Sequence, residues 1–162
     1  MTANMTTKVV GGKEAILALR RIDPELRKQF TRDVKEIAKP ATDAVKTAYQ
    51  TVPLSGMERN WSQKGRKIFP FTVAGARRGV NVKVDTRRSS ENVILIEQRN
   101  VGAAVFETAG RKHDSSLADR LGVVRPGRTR VIGPVVYSRK YLIEKELQRV
   151  IVRAVALVEK KL

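Results

Sequence analysis

Residues 23–50 read DPELRKQFTRDVKEIAKPATDAVKTAYQ, and this stretch decides the fold. Asp23 can accept hydrogen bonds from the free N–H groups of a first helical turn. Pro24 fits that turn because its missing N–H would have no partner there, and Glu25 suits the positive end of the helix dipole. From there Leu26, Phe30, Val34, Ile37, Ala41, Val45 and Ala48 recur at spacings of three and four, one apolar stripe on a helix. Arg27, Lys28, Arg32, Lys35, Glu36 and Lys39 fill the opposite face. Unbroken, such a helix is about 40 Å long at about 1.5 Å per residue. Pro40 removes one backbone donor and crowds the preceding turn, which predicts a kink or a break there.

On the N-terminal side, Lys13 to Ile22 predicts a short helix, preceded by a disordered or arm-like start, an N-terminal arm over residues 1–12 that closes on Gly11 and Gly12. On the C-terminal side, Val52-Pro53-Leu54-Ser55-Gly56 ends the helix and a loop runs through Trp61. The period then changes. Ile68, Phe69, Phe71 and Val73 read as a strand that Pro70 places at an edge or bulge. Gly75 to Gly79 reads as a turn. Val80 to Asp85 alternates apolar and polar residues, the mark of a strand buried on one face. A third strand is expected at Val93–Gln98 and a fourth at Ala103–Thr108, with short polar connections that favour an antiparallel meander. Residues 109–130 show no period and carry Gly110, Gly122, Pro126 and Gly127, so they predict a long basic loop. Val131 to Tyr137 leads into a last helix striped by Leu142, Leu147, Val150, Ile151, Ala154, Val155 and Val158. The expected fold is α+β: one domain over residues 13–162, a small antiparallel β-sheet packed by the long N-terminal helix and the C-terminal helix.

Composition narrows the chemistry. The 162 residues are 41% apolar but only 5% aromatic, so the core rests on Val, Ile, Leu and Ala. The chain has no cysteine, which excludes a disulfide framework, a thiolate zinc site and a cysteine nucleophile. Thirty-three Lys and Arg against sixteen Asp and Glu give a net charge of +17, a surface that attracts nucleic acid, anionic membrane or acidic protein. Met1 to Val10 lacks the apolar core of a signal peptide. The most apolar helical stretch, Leu147 to Val158, carries Arg149 and Arg153 and is shorter than the roughly 20 residues a bilayer requires.

No catalytic constellation emerges. His113 is the single histidine, and its neighbours Asp114, Ser115 and Ser116 are adjacent in sequence, where triad geometry does not form; they read as a polar loop. Glu97 and Glu107 stand within apolar runs. Paired carboxylates can do acid–base work, but with so many arginines an ion pair for each is the expected arrangement. Neither Gly75–Gly79 nor Gly122–Gly127 carries a phosphate-loop lysine pattern. These residues call for no cofactor and no metal. Basic residues are another matter. Residues 59–88 hold nine Lys or Arg against the single acid Asp85, with Trp61, Phe69 and Phe71 among them. The residues expected to meet a partner or a DNA backbone are Arg59, Lys64, Arg66, Lys67, Arg77, Arg78, Arg87 and Arg88, joined by Arg111, Lys112, Arg125, Arg128 and Arg130 of the long loop.

Four features resemble the tail-completion, or neck-protein, family at the head–tail joint of long-tailed phages. The first is the basic amphipathic helix ending at Tyr49-Gln50-Thr51-Val52-Pro53-Leu54-Ser55-Gly56-Met57, where Pro53, Gly56 and Met57 give a shortened form of the family's Pro-x-x-x-Gly-x-Leu-like turn. The second is the strand meander. The third is Val105-Phe106-Glu107-Thr108-Ala109-Gly110, near the family's hydrophobic-Glu-Phe-Gly-Thr segment but with Thr108 and Gly110 displaced. The fourth is the Pro-containing lead-in Val131-Ile132-Gly133-Pro134-Val135-Val136 to a terminal amphipathic helix. The resemblance implies a structural virion protein without catalysis. Its subunits would form a homo-oligomeric ring, commonly a hexamer, that links the capsid connector to the tail and lets DNA pass. Its neighbours would be connector, head-closure and tail-terminator or tail-tube proteins, with nonspecific contact to genomic DNA and none to membrane. Its place would be the host cytoplasm during assembly and then the virion. Two rivals stand beside it: a nucleic-acid-binding protein without sequence specificity, tested by salt-dependent DNA retention, and a small hydrolase, tested by a deep polar pocket.

Overall fold

A computed structural model of the chain describes residues 3–8, 24–51, 62–63, 66–67, 71–84, 92–108 and 129–160. The elements are β1 (Ala3–Lys8), α1 (Pro24–Thr51), β2 (Ser62–Gln63), β3 (Arg66–Lys67), α2 (Val73–Gly79), β4 (Val80–Val84), β5 (Asn92–Gln98), α3 (Val101–Thr108) and α4 (Ile132–Glu159). The fold is α+β, with the long N-terminal helix packing on α4. Three strands join in the order β1-β5-β4, and β2 pairs antiparallel with β3, Ser62 opposite Lys67 and Gln63 opposite Arg66.

Several expectations give way. Residues 3–8, expected in a disordered or arm-like start, form β1 and hydrogen-bond to β5. Helix α1 runs unbroken through Pro40, which faces solvent, so the missing donor falls on the exposed side. Of the strand expected at Ile68, Phe69, Phe71 and Val73, residues 68–70 lie outside the described residues and Val73 instead opens α2, which also replaces the turn expected at Gly75–Gly79; the helix is capped by the Thr72 hydroxyl, which accepts from the Gly75 N–H at 3.0 Å. The fourth strand is likewise a helix. Asn100 caps α3 by accepting from the Ala103 N–H at 2.9 Å, and Gly102, Ala103, Ala104 and Phe106 are buried around it. A short apolar run cannot distinguish a buried helix from a buried strand by period, and the cap decides it. The helix expected at Lys13–Ile22 and nearly all of the long loop at 109–130 lie outside the described residues.

The chain folds into two compact units. One comprises Met1–Met5, Thr42–Asn81 and Ile96–Tyr137; the other comprises Thr6–Ala41, Val82–Leu95 and Ser138–Leu162. Each long helix contributes turns to both. The core of the second unit combines Phe30, Val34, Ala38 and Ala41 of α1 with Ile143, Leu147, Ile151 and Ala154 of α4 and Val93 and Ile94 of β5. On α1 the buried line is Phe30, Val34, Ala38, Ala41, Val45 and Tyr49, so Ala38 and Tyr49 replace the half-buried Ile37 and Ala48 of the expected stripe. On α4 Leu147, Ile151 and Ala154 are buried as expected, but Leu142 and Val155 are exposed and Ile143 takes the inward position. Ion pairs along the helices, such as Lys28–Glu25 at 2.6 Å and Arg149–Glu146 at 2.6 Å, lie in solvent and contribute little. Among the described residues no helix is long and apolar enough to cross a membrane.

Phe30 is 3% exposed and anchors the second unit. Phe30→Ala is expected to lower unfolding stability by about 3–5 kcal/mol through lost transfer energy and a cavity. Urea unfolding measures it, and a loss below about 1 kcal/mol, the size of an ordinary surface change, would remove Phe30 from the core.

Candidate functional site

The first unit contains a buried polar network assembled from four helices and a strand. At the start of helix α4 the N–H groups of Val131 and Ile132 find no partner nearby in sequence. Glu107, at the end of α3, supplies one. Its Oε2 accepts from the Val131 N–H at 3.0 Å, and both of its oxygens lie within 3.4 Å of the Ile132 nitrogen. The next N–H, that of Gly133, donates to the Thr129 hydroxyl at 2.6 Å. Pro134 has no N–H, and Val135 starts the helical ladder by donating to the Val131 carbonyl. Every donor of the first turn is therefore accounted for, and the carboxylate stands at the positive end of the dipole.

Glu107 also accepts from the Tyr49 hydroxyl of α1 at 2.5 Å. That hydroxyl in turn accepts from Gln98 Nε2 of β5 at 3.1 Å. The second Nε2 proton of Gln98 goes to the Ala76 carbonyl of α2 at 3.0 Å, and its Oε1 accepts from the Asn100 N–H at 2.9 Å. These partners fix the orientation of the amide, since exchanging its oxygen and nitrogen would set acceptor against acceptor and donor against donor. Tyr49, Gln98 and Glu107 are all 0% exposed. Burial, then the charge of Glu107, push the Tyr49 hydroxyl above its usual range, so it remains a donor. Among the described residues no buried side-chain nitrogen or oxygen lacks a hydrogen-bond partner.

The same network positions a cationic surface. Helix α2 packs closely at its glycines. A Cβ on Gly79 would strike the Gln98 side chain and come within 2.7 Å of the Asn100 nitrogen, and one on Gly75 would lie 2.8 Å from the Thr72 hydroxyl. The Arg99 N–H donates to the Gly79 carbonyl at 2.8 Å. So pinned, α2 contributes Ala74, Arg77 and Arg78 to an open concavity of about 310 Å³ whose fourth wall is Lys46 of α1, one turn before Tyr49.

Of the expected contact residues, Arg77 and Arg78 come together here with Lys46, which sequence reasoning left out. Arg66 and Lys67 form β3. Arg130 is half-buried: its Nε donates to the Phe106 carbonyl at 2.9 Å and its guanidinium stands 5.8 Å from the centre of the Phe106 ring. Phe106 in turn meets Phe71 edge to face, with centroids 5.8 Å apart. Burial lowers the Arg130 pKa while the charge of Glu107 raises it. Arg59, Lys64, Arg87, Arg88, Arg111, Lys112, Arg125, Arg128 and His113 lie outside the described residues. Glu97 pairs with Arg99 at 2.5 Å as expected, whereas Glu107 spends its oxygens on Tyr49 and the start of α4. Among the described residues no three His, Asp or Glu side chains gather where a metal ion could sit.

Glu107→Ala strands the Val131 and Ile132 N–H groups and the Tyr49 hydroxyl, and is expected to destabilise the fold by about 3–5 kcal/mol. A pH dependence accompanies it. Burial pushes the Glu107 carboxyl above its usual 4.5, and hydrogen bonds from Tyr49, Val131, Ile132 and Arg130 pull it only part of the way back. The folded chain therefore holds this proton more tightly than the unfolded chain. The resulting stability is full below pH 4.5 and declines as pH rises through the folded pKa. The difference in urea-unfolding stability between wild type and Glu107→Gln is expected to shrink from acid to neutral pH. A difference that grows instead would mean that the donors outweigh burial.

The chain matches no family model, no curated protein and no solved structure, so the functional reading rests on its own residues.

Proposed function

We propose that this chain is a structural subunit of the phage head–tail joint, one protomer of a ring between the capsid connector and the tail, with no catalytic role. The phage assignment rests on the resemblance in residues 49–57, 105–110 and 131–136. The observation that carries the assembly role is the second apolar side of α4. Ile143, Leu147, Ile151 and Ala154 face the core. Tyr141, Val152 and Val155 form a separate line in solvent, Tyr141 at 73% exposure and Val152 at 59%. Tyr141 and Val152 stand eleven residues apart, three helical turns, and so share one face. A helix that carries an apolar line in solvent beside its core-facing side suits packing against its own core and against a neighbouring subunit. The one fully buried carboxylate among the described residues supports a structural role as well, because a sealed group that already accepts from three donors is closed to substrate.

A second reading, a nucleic-acid-binding protein without sequence specificity, is favoured by the concavity of Lys46, Arg77 and Arg78.

Tyr141→Ser, Val152→Ser and Val155→Ser combined are expected to keep the monomer folded, abolish its ring in light scattering, and stop the joining of heads to tails in an extract depleted of the native chain. A wild-type protein that stays monomeric at all concentrations, or a triple variant that joins heads to tails at the normal rate, would defeat the proposal.

A further inference from the structure

We infer that the concavity formed by Lys46, Arg77 and Arg78 is a seat for the phosphate backbone of nucleic acid. This deepens the head–tail reading by naming what the basic surface meets, but its test reads binding to purified nucleic acid and can succeed or fail independently of ring formation.

The inference starts from how the three cations are held. Ala74, Arg77 and Arg78 are spaced i, i+3 and i+4, so they share one face of α2. The opposite side of that helix is fixed by the buried hydrogen bond from Gln98 to the Ala76 carbonyl and by the close packing of Gly79. Gln98 also reaches Tyr49, which fixes the turn of α1 that carries Lys46. The cations therefore converge from two elements locked together by one buried network. That arrangement differs from charges scattered on a solvated helix. Arg78 is oriented further by its Nε, which donates to the Ala74 carbonyl at 3.4 Å. Lys46 stands in a loose, exposed ion pair with Asp43, one turn away at 3.9 Å, which mutes its charge in part, so Arg77 and Arg78 carry most of the charge of the concavity. Arg77 has no ion-pair partner among the described residues.

The lining then selects the class of partner. Protein interfaces are anchored by apolar or aromatic side chains in a desolvated centre. This concavity offers one methyl group and three cations. A floor of alanine with guanidinium forks around it suits a small, hydrated, multiply charged anion, and arginine matches phosphate oxygens two at a time. A chain with a net charge of +17 adds long-range attraction to a polyanion. Such contacts neutralise phosphates and read no bases, so binding is indifferent to sequence.

Fluorescence anisotropy of the full chain with a labelled DNA duplex of random sequence, titrated between about 50 and about 200 mM salt, tests this. Each phosphate contact contributes about 0.9 to the slope of log affinity against log salt, so Arg77→Gln with Arg78→Gln is expected to lower the slope by about 2 and the low-salt affinity by tenfold or more. Ala74→Glu, an exposed substitution that places a carboxylate on the floor, is expected to do the same with the helix intact by circular dichroism. Lys145→Gln with Arg149→Gln, an equal loss of charge on α4, is expected to leave the slope unchanged. The inference is overturned if the two charge-loss pairs weaken binding equally, if the wild-type chain does not bind the duplex, or if polyglutamate at equal charge displaces the DNA completely, which would assign the surface to an acidic protein.

Discussion

The structure depends on a carboxylate that seals a helix start. A 28-residue helix such as α4 presents four N–H groups at its N-terminus that no residue within the helix can satisfy. Where that end is exposed, water completes the bonds. Here Val131, Ile132 and Gly133 are buried, so the protein must supply acceptors. Glu107 and Thr129 do so, and Pro134 removes the remaining demand. Once Glu107 occupies that position its own charge needs stabilising, and the Tyr49 hydroxyl provides a donor from α1. The Tyr49 oxygen is then buried too, and Gln98 completes it. Each partner added to satisfy a buried polar atom ties another element into the first unit, until α1, α2, α3, α4 and β5 share one hydrogen-bonded chain.

That logic explains which parts of the architecture were legible in the sequence. Helix α1 and the second half of α4 were legible because an amphipathic surface helix writes its period into a window of about 11–18 residues. Strands β4 and β5 were legible as β-branched runs bounded by polar turns. The short helices were not. The runs Val73–Gly79 and Val101–Thr108 are too brief to show a helical period. The first carries two arginines, and the second is apolar almost throughout. The signals that fix them are single capping residues, Thr72 and Asn100, which carry weight only once the following residues are known to be helical.

The network itself was half legible. An acid inside Val105-Phe106-Glu107-Thr108 marks a buried polar group, but an arginine partner was the natural expectation in so basic a chain. The actual partners lie at sequence separations of 24, 25 and 58, beyond any local pattern. Tyr49 lay one residue past the expected apolar stripe, at Ala48, and Gln98 closed a strand without standing out. The choice is nonetheless physically understandable. An arginine would bring a second charge into the interior and a second desolvation penalty. A phenol and two backbone amides satisfy the carboxylate without that charge.

The distribution of acids then determines where the positive charge is left uncompensated. On the two long helices most described acids stand three or four residues from a base: Glu25 with Lys28, Glu36 with Lys39, Glu144 with Lys140 and Glu146 with Arg149. Such pairs stabilise an isolated helix slightly and mute its surface charge. Helix α2 has no acid at all, and Glu107, an acid of the same unit, is sealed in the interior and turned toward α4. The fold therefore places most of its described acids on the long helices, Glu97 beside Arg99 and Glu107 at a helix start, and leaves Arg77 and Arg78 without an acid on α2, a short helix that the buried network holds. Rigidity matters for what such charges can do. Lysine and arginine side chains both lose rotamer freedom on meeting an anion, but a helix already held in place adds no backbone ordering to that cost. The interaction that closes the interior is thus also what prepares the surface: Gln98 satisfies Tyr49 with one proton and, with the other, holds the helix that carries Arg77 and Arg78.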